Sequence, residues 1–370
     1  MNTAPSLATE SDPRWYARAA DLPADHQVEQ PWHTRSWARA WERASPESIR
    51  HHHYLHLSDG PRPESIALHL TDHSPFWDRL LVDSATEVSW PGPVLYAGSL
   101  YGEYGGAGSA SPDHIAATLH HGMNAARDLG ACALVVPNLP DEQVSLWQGH
   151  RPVGVPAPVA MFTDLSFTAT MPASLEEFAA AAPNRHVARD MLRQHRRGTE
   201  AGLVLHALPG QRMFPFIDRF GDLACATADR HGTPLYTRTM FAHLAEVPGA
   251  VMLAAMHEGQ LVGAFYSFVA AGRLHLWAAG IDTGKRHPYT YTWLMAESIS
   301  YAARSGISVL DAGRSNCRYK SRHGLTGAPL HTLIYLTCPR PALASALLDM
   351  GERLERYAAT GSPLPTPDLP

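Results

Sequence analysis

The sequence predicts an α/β chain of two tandem domains, and three observations carry that expectation. Apolar residues switch along the chain between the alternation of strands and the period of about 3.6 residues that marks helices. The length of 370 residues exceeds one small domain and suits two of about 150–200 residues. A proline-rich segment, RPVGVPAP (151–158), divides the chain near its middle and reads as a linker. The expected domains are 13–155 and 159–340, followed by a C-terminal helix and tail over 341–370.

The first half opens with a helix at WHTRSWARAWERA (32–44) and a strand at RHHHYLHL (50–57). YAGSLYGEYGGAG (96–108) is a Gly- and Tyr-rich loop. HIAATLHHGMNAARDLGACALVVPNL (114–139) is a helix, a glycine stop and a buried strand. The second half starts with a strand, MFTDLSF (161–167). Ser174 then caps a helix, with Glu177 at the capping-box position. A basic helix runs from Asn184 to about Glu200, followed by the strand LVLHAL (203–208), a long helix over 211–231 and another from Thr237.

AVMLAAMHE (250–258) and QLVGAFYSFVAAG (260–272) form a hairpin across Glu258-Gly259, and RLHLWAAGI (273–281) makes it a three-strand meander. A loop (282–290), a helix from about Tyr291 to Ser305, the buried strand ISVLDAG (307–313) and a final strand LHTLIYLT (330–337) complete the order. SISYAARSGISVLDAGR (298–314) repeats the plan of 114–139, which points to a duplicated domain.

Composition narrows the function. A formal charge of −5 excludes a general nucleic-acid coat, so no DNA partner is expected. No apolar run reaches the roughly 20 residues of a membrane span, so no membrane insertion is expected. The N-terminus lacks the basic and apolar regions of a secretory signal. Four cysteines without a CxxC pair fit a reducing cytoplasm. Consecutive histidines at 51–53 alternate faces of a strand and do not converge on a metal. No GxSxG elbow or P-loop occurs, which leaves hydrolase and NTP-driven ligase chemistry unsupported. Of 30 basic residues only two are lysines, Lys285 and Lys320. Coding bias explains the scarcity but not why both fall within 285–320.

The order of helices, antiparallel meander, loop, helix, buried strand, loop and final strand is that of GNAT acyltransferases. GTPLYTRTMFAHL (232–244), the meander and DAGRSNCRYKSRHG (311–324) together resemble the Fem-type branch of that superfamily. NRHVARDMLRQHRRGTEAGLVL (184–205) resembles its Arg-rich helix, and WHTRSWARAWERA its opening helix. The resemblance covers about 280 residues. It implies two GNAT-like domains with mixed, centrally splayed sheets flanked by helices. It also implies amide-bond formation, with aminoacyl-tRNA as co-substrate, no bound cofactor and an amine of a small-molecule or peptide-like acceptor. Acyl-CoA is the alternative donor, and a catalytically inactive binding module the alternative from another class.

On the resemblance, Arg314-Ser315 with Tyr319-Lys320 matches the donor segment, where Lys320 meets the tRNA 3′ end and the developing oxyanion. A lysine offers such an oxygen a compact charge; the other reading is a solvated loop cation. Asp311, at the end of the buried strand, orients Arg314, accepts a proton from the amine, or caps nearby backbone amides. Arg185, Arg189 and Arg193 share one helix stripe, which holds phosphates or is an ordinary solvated face. The loop at Lys285-Arg286 has Pro and Tyr where acetyl-CoA-binding relatives carry glycine, which weakens the CoA reading, although both cations can still meet a phosphate. Glu103 faces an acceptor amine across the cleft or is a solvated turn acid. Tyr236 and Arg238 border the cleft, or Tyr236 is core. Cys317 lies close enough to Lys320 for a thioester intermediate to be considered.

Overall fold

A computed structural model describes residues 13–24, 30–58, 63–106, 108, 111–230, 232–284 and 289–360. Lys285 and Arg286 lie outside them. In chain order the elements are β1 (Arg14–Tyr16), α1 (Arg35–Ala44), β2 (Ser48–Leu57), β3 (Glu64–His73), α2 (Pro75–Ser84), β4 (Val94–Ala97), α3 (Pro112–Asp128), β5 (Ala133–Pro140) and α4 (Asp141–Gly149). After the Pro-rich segment come β6 (Val159–Thr170), α5 (Leu175–Ala180), α6 (Arg185–Glu200), β7 (Val204–Pro209), α7 (Phe214–Arg230) and α8 (Arg238–Leu244). The chain ends with β8 (Ala250–His257), β9 (Gln260–Ala270), β10 (Arg273–Ile281), α9 (Thr290–Arg304), β11 (Val309–Asp311), α10 (Cys317–Arg322), β12 (Thr326–Leu336) and α11 (Pro341–Thr360).

Local chemistry sets many boundaries. Thr34 caps α1 by accepting from the Trp37 amide, Asn184 caps α6 through the His186 amide, and Ser174 caps α5 through the Glu177 amide. The Glu177 carboxylate reaches back to the Ala173 amide. Among the described residues, no helix is long and apolar enough to cross a membrane.

The strands join in one mixed sheet, ordered β1-β2-β3-β4-β5-β12-β6-β11-β10-β9-β8-β7. Each half repeats a plan. In the first, β2, β3 and β4 run antiparallel and β4 pairs parallel with β5; in the second, β8, β9 and β10 do the same and β10 pairs parallel with β11. The closing strands are exchanged: β12 pairs with β5 of the first half, and β6 with β11 of the second. β6 and β12 pair with each other at the centre, so the sheet runs unbroken past residues 151–158.

The sheet opens between β10 and β11. Their pairing covers only Arg273–His275 against Val309–Asp311 and then stops. Immediately beyond, β10 carries a bulge between Leu276 and Ala278, a feature that bends a strand and increases its twist. The gap is walled by α7, α9 and residues 312–318. Apolar cores close over both faces: α7 and α8 with α1 on one side, α5, α6 and α9 on the other.

Candidate active site

The fork between β10 and β11 leads into a cavity of about 480 Å3. Its walls include Tyr236, Trp277, Tyr291, Arg314, Ser315, Asn316, Cys317 and Lys320 from the second half. Arg79, Asp83 and Asp164 approach from α2 and β6, and Tyr357 from α11. A smaller chamber of about 80 Å3 adjoins it and shares Tyr236, Trp277 and Arg314, with Phe76, Tyr101 and Glu103 added from the first half.

Residues 98–106 reach the fork because they are pinned at both ends. Asn138, in the left-handed region with φ of 54°, donates from Nδ2 to the Leu100 and Gly102 carbonyls. The Tyr101 hydroxyl donates to Leu235 O, Trp277 Nε1 donates to Tyr101 O, and Arg314 Nη2 donates to Leu100 O. These three hydrogen bonds, with those of the Tyr104 hydroxyl to Ser166 and Asp311, tie the first-half loop to the second half. Gly105 runs so close to β5 that a Cβ there would lie 1.8 Å from the Pro137 carbonyl oxygen, which only glycine avoids.

This places Glu103 inside the protein, with its side chain 5% exposed, rather than in a solvated turn. Its Oε2 lies 3.6 Å from Arg314 Nε, and its Oε1 is buried with no hydrogen-bond partner among the described residues. Burial pushes the Glu103 carboxyl up to about 7, against the pull of Arg314. A carboxyl held near neutrality can take and return a proton, the property of a general base.

The segment after β11 differs from the expected loop. Gly313, Ser315 and Asn316 all have positive φ, and α10 begins directly after them. Non-glycine residues in this region carry strain and tend to occur at functional sites. Lys320 sits on α10 and is 3% exposed, so the solvated-cation reading fails. Its Nζ donates to Gly313 O at 2.9 Å and Arg314 O at 2.6 Å, and lies 5.5 Å from the Phe167 ring. An ammonium has three donors, so these bonds leave one. Burial pulls the Lys320 ammonium down to about 8, opposed by Glu103 and Asp164.

The other expected residues fall into two groups. Tyr236 and Ser315 line both chambers, and burial raises the Tyr236 hydroxyl to about 12. Cys317 lines the larger one, but burial raises its thiol to about 11, which keeps it protonated and disfavours a thioester intermediate. Asp311 is fully buried yet absent from both cavity walls. It accepts from the Tyr104 hydroxyl at 2.7 Å and the Gly313 amide at 3.0 Å, with His275 Nδ1 at 3.2 Å. Burial opposes its ionisation, but His275, Tyr104 and Gly313 outweigh that and hold its carboxyl below the usual range. Asp311 is thus a strut that fixes the turn carrying Arg314.

Arg185, Arg189 and Arg193 lie exposed on α6 and line neither chamber; Arg193 pairs with Asp190. Arg238 is exposed and pairs with Asp222, and Tyr319 stacks on His323 away from the chamber walls. Sequence reasoning missed Arg79, Asp83, Asp164, Trp277 and Tyr357. Arg79 and Asp83 form a tight ion pair at 2.5 Å, and burial raises the Asp164 carboxyl. The one local signal was i, i+4 spacing of Arg79 and Asp83 on α2.

Comparison with known proteins agrees with this geometry. The sequence model described as the acetyltransferase (GNAT) domain matches residues 183–321, which contain the fork, Arg314 and Lys320. No curated protein sequence matches the chain. Three solved structures share the fold. L-PGS from Bacillus licheniformis has a TM-score of 0.53 at 12% identity, covering 89% of this chain and 99% of that one. FemX has 0.53 at 9%, covering 86% and 94%. The C-terminal domain of a putative lysylphosphatidylglycerol synthetase from Agrobacterium fabrum has 0.50 at 9%, covering 85% and 89%. The fold is that of a GNAT-type acyltransferase.

Proposed function

We propose that the chain forms an amide bond by moving an aminoacyl group from aminoacyl-tRNA to an amine of a small-molecule or peptide-like acceptor. The observation that carries this reading is a buried carboxyl and a buried ammonium on adjoining chambers at the fork, Glu103 on the smaller and Lys320 on the larger.

Glu103 takes a proton from the neutral amine as its nitrogen attacks the ester carbonyl carbon. The tetrahedral oxyanion is met by the remaining donor of Lys320. Removal of one such donor from an enzyme typically costs about 2.7–4 kcal/mol of barrier. The C–O bond to the 3′-oxygen then breaks, the C–N bond remains, and the proton on Glu103 passes to the departing oxygen, so charge and protons balance. Asp311, His275 and Tyr104 act on this step by fixing the turn. The exposed arginines of α6 lie outside the cavity and suit the phosphates of a long donor better than a small one.

The description of the matching domain as an acetyltransferase favours acetyl-CoA as the second donor to test. The protein is incubated with a small-molecule extract and either tRNA charged with labelled amino acids or labelled acetyl-CoA. Transfer from tRNA leaves an RNase-resistant labelled amide with the wild type and not with Lys320→Met. Consumption of acetyl-CoA alone overturns the donor assignment. Consumption of neither favours a binding module.

A further inference from the structure

The two ion pairs around the chambers are not equivalent. Arg79 and Asp83 satisfy each other at 2.5 Å. Arg314 and Glu103 do not: their closest approach is 3.6 Å, and each ends in a buried atom with no hydrogen-bond partner among the described residues, Arg314 Nη1 and Glu103 Oε1. The Arg314 side chain is 7% exposed and that of Glu103 5%. An unpaired donor on a buried cation and an unpaired acceptor on a buried carboxyl are both costly to maintain. A ligand that brings an anion to one and an amine to the other removes both costs at once.

Three further facts say where that ligand sits. The Arg314 guanidinium turns to the first half, donating to Leu100 O and lying 4.3 Å from the centre of the Phe76 ring. With Glu103 it lines the chamber of about 80 Å3, which suits a compact head group. The larger cavity, which shares Tyr236, Trp277 and Arg314 with it, has room for a longer side chain. In an aminoacyl transfer the donor's α-carboxyl is the ester that reacts, so a free α-carboxylate can only belong to the acceptor.

We infer that the small chamber is the acceptor pocket and that the acceptor is an amino acid, its free carboxylate on Arg314 Nη1 and its amine facing Glu103 Oε1. This rests on the acyl-transfer reading of the same site. Arg314 then acts on the acceptor rather than on the donor, and it selects amines that also carry a carboxylate over simple ones, the amine being neutral when it attacks.

The test compares matched probes: free amino acids, their methyl esters, their N-acetyl derivatives and the corresponding decarboxylated amines. Binding to the full chain is read by calorimetry. At least one free amino acid should bind roughly 10- to 100-fold more tightly than its ester and its decarboxylated amine, the loss expected for one charge-assisted hydrogen bond. Its N-acetyl derivative should be equally weak. Arg314→Met should remove the difference between acid and ester, and Arg314→Lys should restore part of it. Equal binding of acid and ester by the wild type overturns the inference, as does binding by none of the free amino acids. Displacement of a bound amino acid by inorganic phosphate or AMP with equal potency also overturns it, because Arg314 would then be a donor phosphate site. Because binding is measured without donor, the two readings fail separately. Amino-acid binding without any acyl transfer refutes the proposed function alone, and acylation of amines that lack a carboxylate refutes this inference alone.

Discussion

Replacing Lys320 by methionine separates chemistry from scaffolding. The substitution keeps most of the side-chain volume and removes the charge. The ammonium makes two hydrogen bonds to backbone carbonyls, at 2.9 and 2.6 Å. Bonds to a charged group contribute about 1.5–3 kcal/mol each, so their loss costs about 3–6 kcal/mol. Burial works the other way: lowering the ammonium from 10.5 to about 8 means that the fold opposes the charge by about 3 kcal/mol, which the variant recovers. The net loss of stability is therefore about 0–3 kcal/mol, and the variant should fold. Its rate should fall by roughly 100- to 1,000-fold if the ammonium meets the oxyanion. Thermal unfolding and kcat/KM, measured on the same preparation with charged tRNA, give the two numbers. Activity within a factor of about 3 of the wild type, in a variant that is folded, would show that Lys320 only fastens the turn.

Gly105→Ala should lower stability by at least about 1–3 kcal/mol and reduce activity, because the new methyl meets the Pro137 carbonyl and moves the loop that carries Glu103; melting curves check it. Reversing the charge at Arg185, Arg189 and Arg193 should raise KM for charged tRNA and flatten its salt dependence by about one log unit per lost contact, with acetyl-CoA kinetics unchanged. His69 is buried, and burial followed by its neighbours His52 and His53 lowers it to about 3. Its neutral form thus supports the fold fully above about pH 6.5, and that support drains away as pH falls towards 3. The drop is worth up to about 5 kcal/mol. His69→Leu should give a shallower acid limb in chemical denaturation across that window.

What was legible in the sequence was local. Asn184 and Ser174 announce helix starts because a capping side chain acts within three residues. The meander shows itself by alternation and by the Glu258-Gly259 turn. The exchange of β6 and β12 was not legible, since pairing of residues 330–336 with 133–140 depends on contacts far apart in sequence. Lys320 was found by residue type, but its burial was not. A lysine beside Arg318 and Arg322 looks solvated until the left-handed turn at Ser315 and Asn316 brings two carbonyls to its Nζ. Asp311 and Arg314 are three residues apart, yet β11 ends at Asp311, which meets His275 and Tyr104, and the positive-φ turn at Gly313 then carries Arg314 to the chambers. Arg79, Asp83, Asp164 and Tyr357 come from three separate elements, and beyond the i, i+4 spacing of Arg79 and Asp83 no spacing rule links them.

The most direct measurement of acyl transfer at the fork is the pH profile of donor consumption by the wild type and by Glu103→Gln. Burial, opposed by Arg314 and Lys320 and reinforced by Asp311 and Asp164, pushes the Glu103 carboxyl up to about 7. Ionised Glu103 is the base, so the wild-type rate should climb as pH rises through neutrality. The glutamine variant should lose that climb and roughly 100- to 10,000-fold in rate. A variant that keeps both the rate and the limb would contradict the assignment of this cavity as the active site.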